Sequence, residues 1–373
     1  MARESLELTI VRQSADIFYL TGTVQEGHLV VPVEGEPLFL VWRSLERARQ
    51  ESPLQEIEPL DSISELPAIL KGRGLLPAGS VGLELDVLPA NLYLRYSELL
   101  APARLVDCSP LLRRLRAVKS EWEVGAVRRA CQKVWGAMET AQAALGPGIT
   151  DIEVAVEVEG YLRRLGHPGV LRMRLWNHQI GMDQVLTGPT GALPAWTSTP
   201  AGGRGMSVAY GMGASGARYE PGLPFTVDVA GYHMGYLCDQ TRTFAPAPLK
   251  GPLEAALELA IAMEERVESL LRPGAVSGDI YQEAEEMARE AGLDHAFMGT
   301  GRDRVRFIGH GVGIELDEYP FLSRGNSMPL EAGMVVAVEP KFSIPGLGMV
   351  GVEDTYLITE TGCQRLTLGP PRL

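Results

Sequence analysis

Phe225-Thr226-Val227-Asp228-Val229-Ala230 reads as a β-strand with a carboxylate set into a β-branched run. Eleven residues on, Cys238-Asp239-Gln240-Thr241-Arg242-Thr243-Phe244 does the same, after the turn-prone Gly231 and Gly235. Val335-Val336-Ala337-Val338-Glu339-Pro340 ends a third strand in an acid, and fourteen residues later Val350-Gly351-Val352-Glu353-Asp354-Thr355 repeats the pattern. Between the two pairs stands Gly309-His310-Gly311-Val312-Gly313, a histidine flanked by glycines that let neighbouring backbone approach closely. Buried carboxylates are costly unless paired or metal-bound. Four converging acids without a matching Lys or Arg repel one another, and divalent cations relieve that repulsion. Four carboxylates and one imidazole suit a pair of hard or borderline ions such as Mn, Co, Fe or Zn.

The flanking sequence contains a faint internal repeat. Leu145-Gly146-Pro147-Gly148-Ile149-Thr150-Asp151-Ile152 precedes a helix ending at Gly166, and Leu271-Arg272-Pro273-Gly274-Ala275-Val276-Ser277-Gly278-Asp279-Ile280 precedes one ending at Gly292. Gly166 lies 19 positions after Pro147 and Gly292 19 after Pro273, at an offset of 126. In each copy a helix, a Pro-Gly turn and a second helix lead into strand-rich sequence. Two related α-plus-β halves packed together make one domain with the acids between them.

The first third alternates strand and helix signals. Ile17-Phe18-Tyr19-Leu20 reads as extended and stops at Thr21-Gly22; His28-Leu29-Val30-Val31-Pro32-Val33 and residues 38–42 are strands. Residues 44–51 read as a short helix, 81–85 as a buried strand, and Leu105-Val106-Asp107 as one more. A polar segment from Arg113 to Glu123 then opens a helix running to about Leu145. The chain of 373 residues is thus expected to form an α/β domain over 1–115 and a second, α+β domain over 116–373. Arg113, Arg114, Arg116 and Lys119 read as a solvated hinge face.

A formal charge of −13 makes nucleic acid an unexpected partner. Met1-Ala2-Arg3-Glu4-Ser5-Leu6-Glu7 has no apolar run and is read as no signal peptide, and no stretch of 18 apolar residues suggests a membrane span. Cys108, Cys131, Cys238 and Cys363 lack the spacing of a zinc clip and read as free thiols in a reducing cytoplasm. Gly211-Met212-Gly213-Ala214-Ser215-Gly216 matches GxGxxG literally, but a turn follows it instead of a helix, so the dinucleotide reading fails. GxSxG, P-loop and HExxH patterns are absent, which removes the common serine hydrolase, NTPase and zincin readings.

Asp-x10-Asp, Gly-His-Gly-x-Gly, Glu-Pro and Glu-Asp-Thr in this order resemble the pita-bread metallopeptidase family, which includes prolidase, aminopeptidase P, methionine aminopeptidase and creatinase. Asp16-Ile17-Phe18-Tyr19-Leu20-Thr21-Gly22, Arg116-Ala117-Val118-Lys119-Ser120 and Asp239-Gln240-Thr241-Arg242-Thr243-Phe244 resemble the prolidase branch. The resemblance implies a creatinase-type α/β N-terminal domain and a pita-bread α+β C-terminal domain. It implies two divalent ions (Mn, Co, Zn or Fe), with Asp228 chelating one, Asp239 and Glu353 bridging, and His310 and Glu339 at or beside the other. A hydroxide between the ions would attack the scissile carbonyl of a short peptide, with Glu339 as proton carrier. A cytoplasmic homodimer is implied as well, with the N-terminal domain of one subunit near the other's site.

Three positions depart from the branch. Seven residues after His310, where a His-Glu pair usually starts, stands Asp317; Ala195 follows Gly188-Pro189-Thr190-Gly191-Ala192-Leu193-Pro194 where a histidine is usual; and Gly351 replaces a common Arg. The missing histidines help hold substrate and stabilise the developing oxyanion, and one such donor is worth ~3 kcal/mol. His178, His233, Asp317 and Trp196 are the substitutes nearest in sequence. The alternatives are a small non-peptide substrate, as in creatinase or a sulfonium lyase, or a metal-binding protein without turnover.

Overall fold

A computed structural model of the chain describes residues 6–200 and 202–373. Residues 1–5, which carry most of the stretch read as lacking a leader, lie outside the described residues. The chain divides into two compact units, one running to Arg116 and including Arg174–Asn177, the other comprising Ala117–Met173 and His178–Leu373.

The first unit runs β1 (Leu8–Val11), α1 (Ser14–Thr21), β2 (Gly27–Pro32), β3 (Leu38–Val41), α2 (Leu45–Glu51), β4 (Glu56–Pro59), α3 (Leu66–Gly72), β5 (Ser80–Leu83), α4 (Ala90–Leu99), β6 (Arg104–Asp107) and α5 (Ser109–Ala117). Its six strands form one mixed sheet in the order β4-β3-β2-β1-β5-β6. Alternation along β1 sends Leu8 and Ile10 into a core with Val30, Leu40, Val81 and Tyr96, and Val11 into the opposite one with Leu29, Phe39 and Val41.

Two expectations are corrected here. Residues 17–20 are helical, not extended: the Gln13 side chain accepts from the N–H groups of Ala15 and Asp16, and Gly22 at φ 76° closes α1. A short apolar run does not reveal its period, and the caps decide it. The basic stretch is only in part a solvated face: Arg114 is exposed and Arg113 half-buried, whereas Arg116 is 3% and Lys119 5% exposed. Arg116 donates to buried Asp16 at 2.7 Å, and Arg174 donates to the other Asp16 oxygen at 2.6 Å and to both oxygens of Asp86. Burial alone would raise the Asp16 pKa, but Glu84 and the two guanidinium groups bring it down to about 2.

The second unit begins with α6 (Glu121–Ala144) and α7 (Asp151–Arg164), each opened by a capping box, Ser120 with Glu123 and Thr150 with Glu153. Against them lies a three-stranded antiparallel sheet of β7 (Asp183–Thr187), β8 (Phe225–His233) and β9 (Tyr236–Phe244). The pattern then recurs. Helices α8 (Leu253–Leu270) and α9 (Ser277–Glu290) pack on strands drawn from β10 (Phe307–Gly311), β11 (Glu318–Ser323), β12 (Val335–Val338), β13 (Lys341–Ile344), β14 (Gly348–Gly351), β15 (Asp354–Ile358) and β16 (Cys363–Arg365). Five of these form a sheet ordered β11-β10-β12-β15-β16, while β13 and β14 form a separate hairpin. The helix pairs occupy the two copies of the sequence repeat. Lys119 is held by Glu318 at 3.0 Å.

Cys108, Cys131 and Cys238 are buried free thiols and Cys363 is half-buried. The GxGxxG-like stretch is a loop whose Ser215 and Gly216 N–H groups donate to the Asp151 carboxylate. Among the described residues no helix is long and apolar enough to cross a membrane.

Candidate metal centre

Strand register brings the acids together. In the β8–β9 hairpin Asp228 faces Thr241 and Ala230 faces Asp239. Residues two apart share a face, so both aspartates point to the same side of the sheet. The hairpin turns at Met234 and Gly235, both at positive φ, as a tight two-residue turn requires. In the larger sheet His310 pairs with Ala337, and Ala337 pairs with Thr355. Glu339 lies two residues beyond Ala337 and Glu353 two before Thr355, which puts both on the histidine's face. Thr355 Oγ1 accepts from Asp239 N and donates to Asp239 O, and Thr241 and Glu353 exchange backbone hydrogen bonds, so the two sheets meet at the acids.

The glycines beside His310 are required by this packing. A Cβ on Gly309 would lie 2.2 Å from the Ala337 carbonyl oxygen, and one on Gly311 2.1 Å from that of Tyr319.

Asp239, His310 and Glu353 are buried, and one ligand atom from each lies within 4.8 Å of the other two. Burial pushes the Asp239 pKa well above the carboxylate range, and the nearby Glu353 and Asp228 charges add to it. Burial also raises Asp228 and Glu353. Glu353 Oε1 is buried without a hydrogen-bond partner, whereas Oε2 accepts from Thr241 Oγ1 at 2.8 Å. One oxygen is therefore held in place and the other is aimed at nothing in the protein. A carboxylate, a second carboxylate with an orphaned oxygen and an imidazole fit one divalent ion.

The expectation of acids without a matching cation is corrected. Lys341, 1% exposed, sends its Nζ to Glu339 Oε2 at 2.6 Å, Glu353 Oε2 at 2.8 Å and Asp228 Oδ2 at 3.0 Å. Burial opposes its charge, yet the three carboxylates hold its pKa well above the ordinary lysine value. His310 Nε2 stands 3.6 Å from Glu339 Oε1, the oxygen that Lys341 leaves alone. Beneath the cluster, Arg242 is fully buried, donating to Asp354 Oδ1 at 2.7 Å and to the Glu353 carbonyl at 2.9 Å.

In the sequence Lys341 is legible only as a charge opening the short strand Lys341-Phe342-Ser343-Ile344 after Glu339-Pro340. Its cross-strand partner is Gly351, where a Cβ would fall 2.6 Å from Lys341 Cγ. The missing side chain at 351 is thus the space through which the lysine stem passes.

Of the four substrate-contact candidates, Trp196 and His178 lie beside each other. Asp317 is buried in the connection between β10 and β11, where Ile314 and Glu315 donate their N–H groups to Glu318. Trp196 is 47% exposed, its ring 6.4 Å from that of His178. His233 sits at the β8–β9 turn, about 16 Å along the strand from Asp228.

Comparison with known proteins agrees with this architecture. Residues 125–360 match Metallopeptidase family M24, and residues 1–118 match the Creatinase/Prolidase N-terminal domain. An Xaa-Pro dipeptidase of Pyrococcus furiosus is 26% identical over 369 residues, covering 98% of this chain and 95% of that protein. An Xaa-Pro dipeptidase structure from Bacillus anthracis superposes with a TM-score of 0.84 at 24% identity, covering 100% of this chain and 96% of the other. The prolidase structure of Pyrococcus horikoshii gives 0.83 at 23% identity, covering 100% and 97%. The fold is a creatinase-type N-terminal domain followed by a pita-bread domain. With more than half its length matched, and a buried acid-and-histidine cluster set between repeated halves, the chain belongs to Metallopeptidase family M24.

Proposed function

We propose that this metallopeptidase-type hydrolase cleaves short peptides, with Xaa-Pro bonds the favoured class, using a divalent ion held by Asp239, His310 and Glu353. The observation that supports the reading is the convergence of those three buried side chains, one of which, Glu353, also keeps an oxygen, Oε1, without a hydrogen-bond partner. When bound, such an ion supplies Lewis-acid polarisation of the scissile carbonyl and a nucleophile at neutral pH. Glu339 is the proton carrier. Lys341 and backbone packing fix its Oε2, which leaves Oε1, facing His310, as the atom that takes a proton and passes it toward the leaving nitrogen. Asp317, Trp196 and His178 are the candidate substrate contacts. The reading takes Mn, Co, Zn or Fe as the ion and a cytoplasmic homodimer as the working form, and sedimentation at micromolar concentration tests the assembly.

The deciding experiment is hydrolysis of a dipeptide and tripeptide panel, Xaa-Pro members included, by metal-stripped protein reloaded with Mn, Co or Zn. Metal-dependent turnover is expected, with Glu339→Ala lowering kcat on the order of 100-fold or more. Silence across the panel from folded, metal-loaded protein would overturn the peptide reading. A small non-peptide substrate is then favoured, since Ala195 and Asp317 offer no imidazole to a peptide.

A further inference from the structure

Lys341 changes what the centre is able to hold. Building on the metal-dependent reading above, we propose that its ammonium takes the place of a second metal ion, so that the centre binds one divalent cation per chain beside a tethered positive charge.

An ammonium has three donors, and all three of Lys341's are used, on Asp228 Oδ2, Glu339 Oε2 and Glu353 Oε2. Those are three of the four acids that a two-ion centre would draw on. Asp228 has its Oδ2 on this lysine, and in this arrangement it is an ammonium partner in place of the chelating ligand that the sequence resemblance implies. A second ion among the same oxygens would sit within a few ångströms of a buried like charge, where low local dielectric strengthens the repulsion.

The lysine is also built in. Its Cα belongs to β13, its side chain is 1% exposed, and Gly351 opposite leaves just the room its stem occupies. The β13–β14 hairpin is pinned to β8 and β9, because Thr226 Oγ1 donates to Met349 O and Thr243 Oγ1 exchanges hydrogen bonds with Gly351. The ammonium makes no hydrogen bond to Asp239, His310 or Glu353 Oε1, and Asp239, His310 and Glu353 are three ligands that suit one ion with open positions for water and substrate.

The test is metal content and magnetic state, read independently of turnover. The full-length protein, stripped with chelator and reloaded with Mn(II), Co(II) or Zn(II), is expected to carry one ion per chain by plasma mass spectrometry. Its Mn(II) form should give the electron paramagnetic resonance signal of an isolated ion. Lys341→Gly, which vacates the position, is expected to take up a second ion and show spin coupling. Two ions in the wild type, or none beyond the first in a folded Lys341→Gly, overturns the proposal. Should that variant fail to fold, Asp228→Asn and Asp239→Asn decide. The first is expected to leave the ion's Kd within about threefold and the second to weaken it at least about tenfold. Equal losses overturn the proposal. Two ions with peptide turnover would sink this inference alone, whereas no bound ion and no turnover would sink it together with the hydrolase reading.

Discussion

Arg242 and Asp354 show how much of the centre's stability rests on single residues. Both are fully buried, paired at 2.7 Å, and the guanidinium also holds carbonyl oxygens of Thr241, Glu353 and Pro370. Removing the guanidinium leaves the buried Asp354 charge with only Gln240 and the half-exposed Arg365 to balance it, and loss of a buried partner of this kind costs about 3–5 kcal/mol. Arg242→Met is therefore expected to lower the unfolding free energy by about that much, read from urea denaturation followed by circular dichroism, and to loosen metal binding through Glu353. Gly351 makes a second case. In Gly351→Ala the new methyl lands 2.6 Å from Lys341 Cγ and 2.8 Å from the Pro340 carbonyl. Overpacking of this kind costs about 1–3 kcal/mol, and because the flexible stem yields before the backbone, Lys341 should be pushed off its carboxylates. A destabilised variant with unchanged metal stoichiometry would speak against that displacement.

At the scale of elements, register explains why acids spaced eleven residues apart in one hairpin meet. Asp239 sits opposite Ala230, two residues from Asp228, and the pleat returns both side chains to one face. The same rule places Glu339 and Glu353 beside His310 across β10, β12 and β15. It follows that β10 tolerates no side chain at Gly309. Gly309→Ala is expected to part β10 from β12, displace His310 and abolish tight metal binding, measured by equilibrium titration of the stripped protein. A helix cap has a smaller, local effect. Thr150→Ala removes half of a capping box at α7 and should cost about 1 kcal/mol in urea denaturation without altering metal content.

Across the whole molecule, two buried histidines contribute to the response to acid. Burial, reinforced by the adjacent Arg12, lowers the His28 pKa to about 3, and burial with Arg163 lowers that of His167 to about 4. Arg12 Nη1 lies 2.8 Å from His28 Nε2, so the neutral ring accepts there and a protonated one would face a like charge. An unfolded chain takes up these protons near pH 6.5, whereas the fold refuses them until well below pH 5. Both groups therefore add stability that is present above pH 6.5 and lost as pH falls toward 4, and Asp16, held at about 2, acts in the same direction. From pH 7 to pH 5 these histidines pull the urea midpoint down while the raised carboxylates Asp228, Asp239 and Glu353 pull it up, so His28→Gln should make the change over that range less negative than in the wild type; an unchanged slope would remove His28 from this account.

Read without a structure, the chain already carried the acids that gather around His310, the two repeated halves and, by resemblance, the family, because strand period, turn glycines and acids inside apolar runs are local signals. Sequence alone misread residues 17–20, where Gln13 and Gly22 impose a helix on an apolar run, and it misread Arg116 and Lys119, whose partners Asp16 and Glu318 lie 100 and 199 residues away. Lys341 escaped for the same reason. Its charge is visible in the sequence, but its partners lie on β8, beyond β12 and before β15, and only the packing of the β13–β14 hairpin onto β8 and β9 decides that an ammonium reaches all three. Pairing within one hairpin is fixed by spacing along the chain, whereas a charge delivered from a separate hairpin is fixed by how sheets dock.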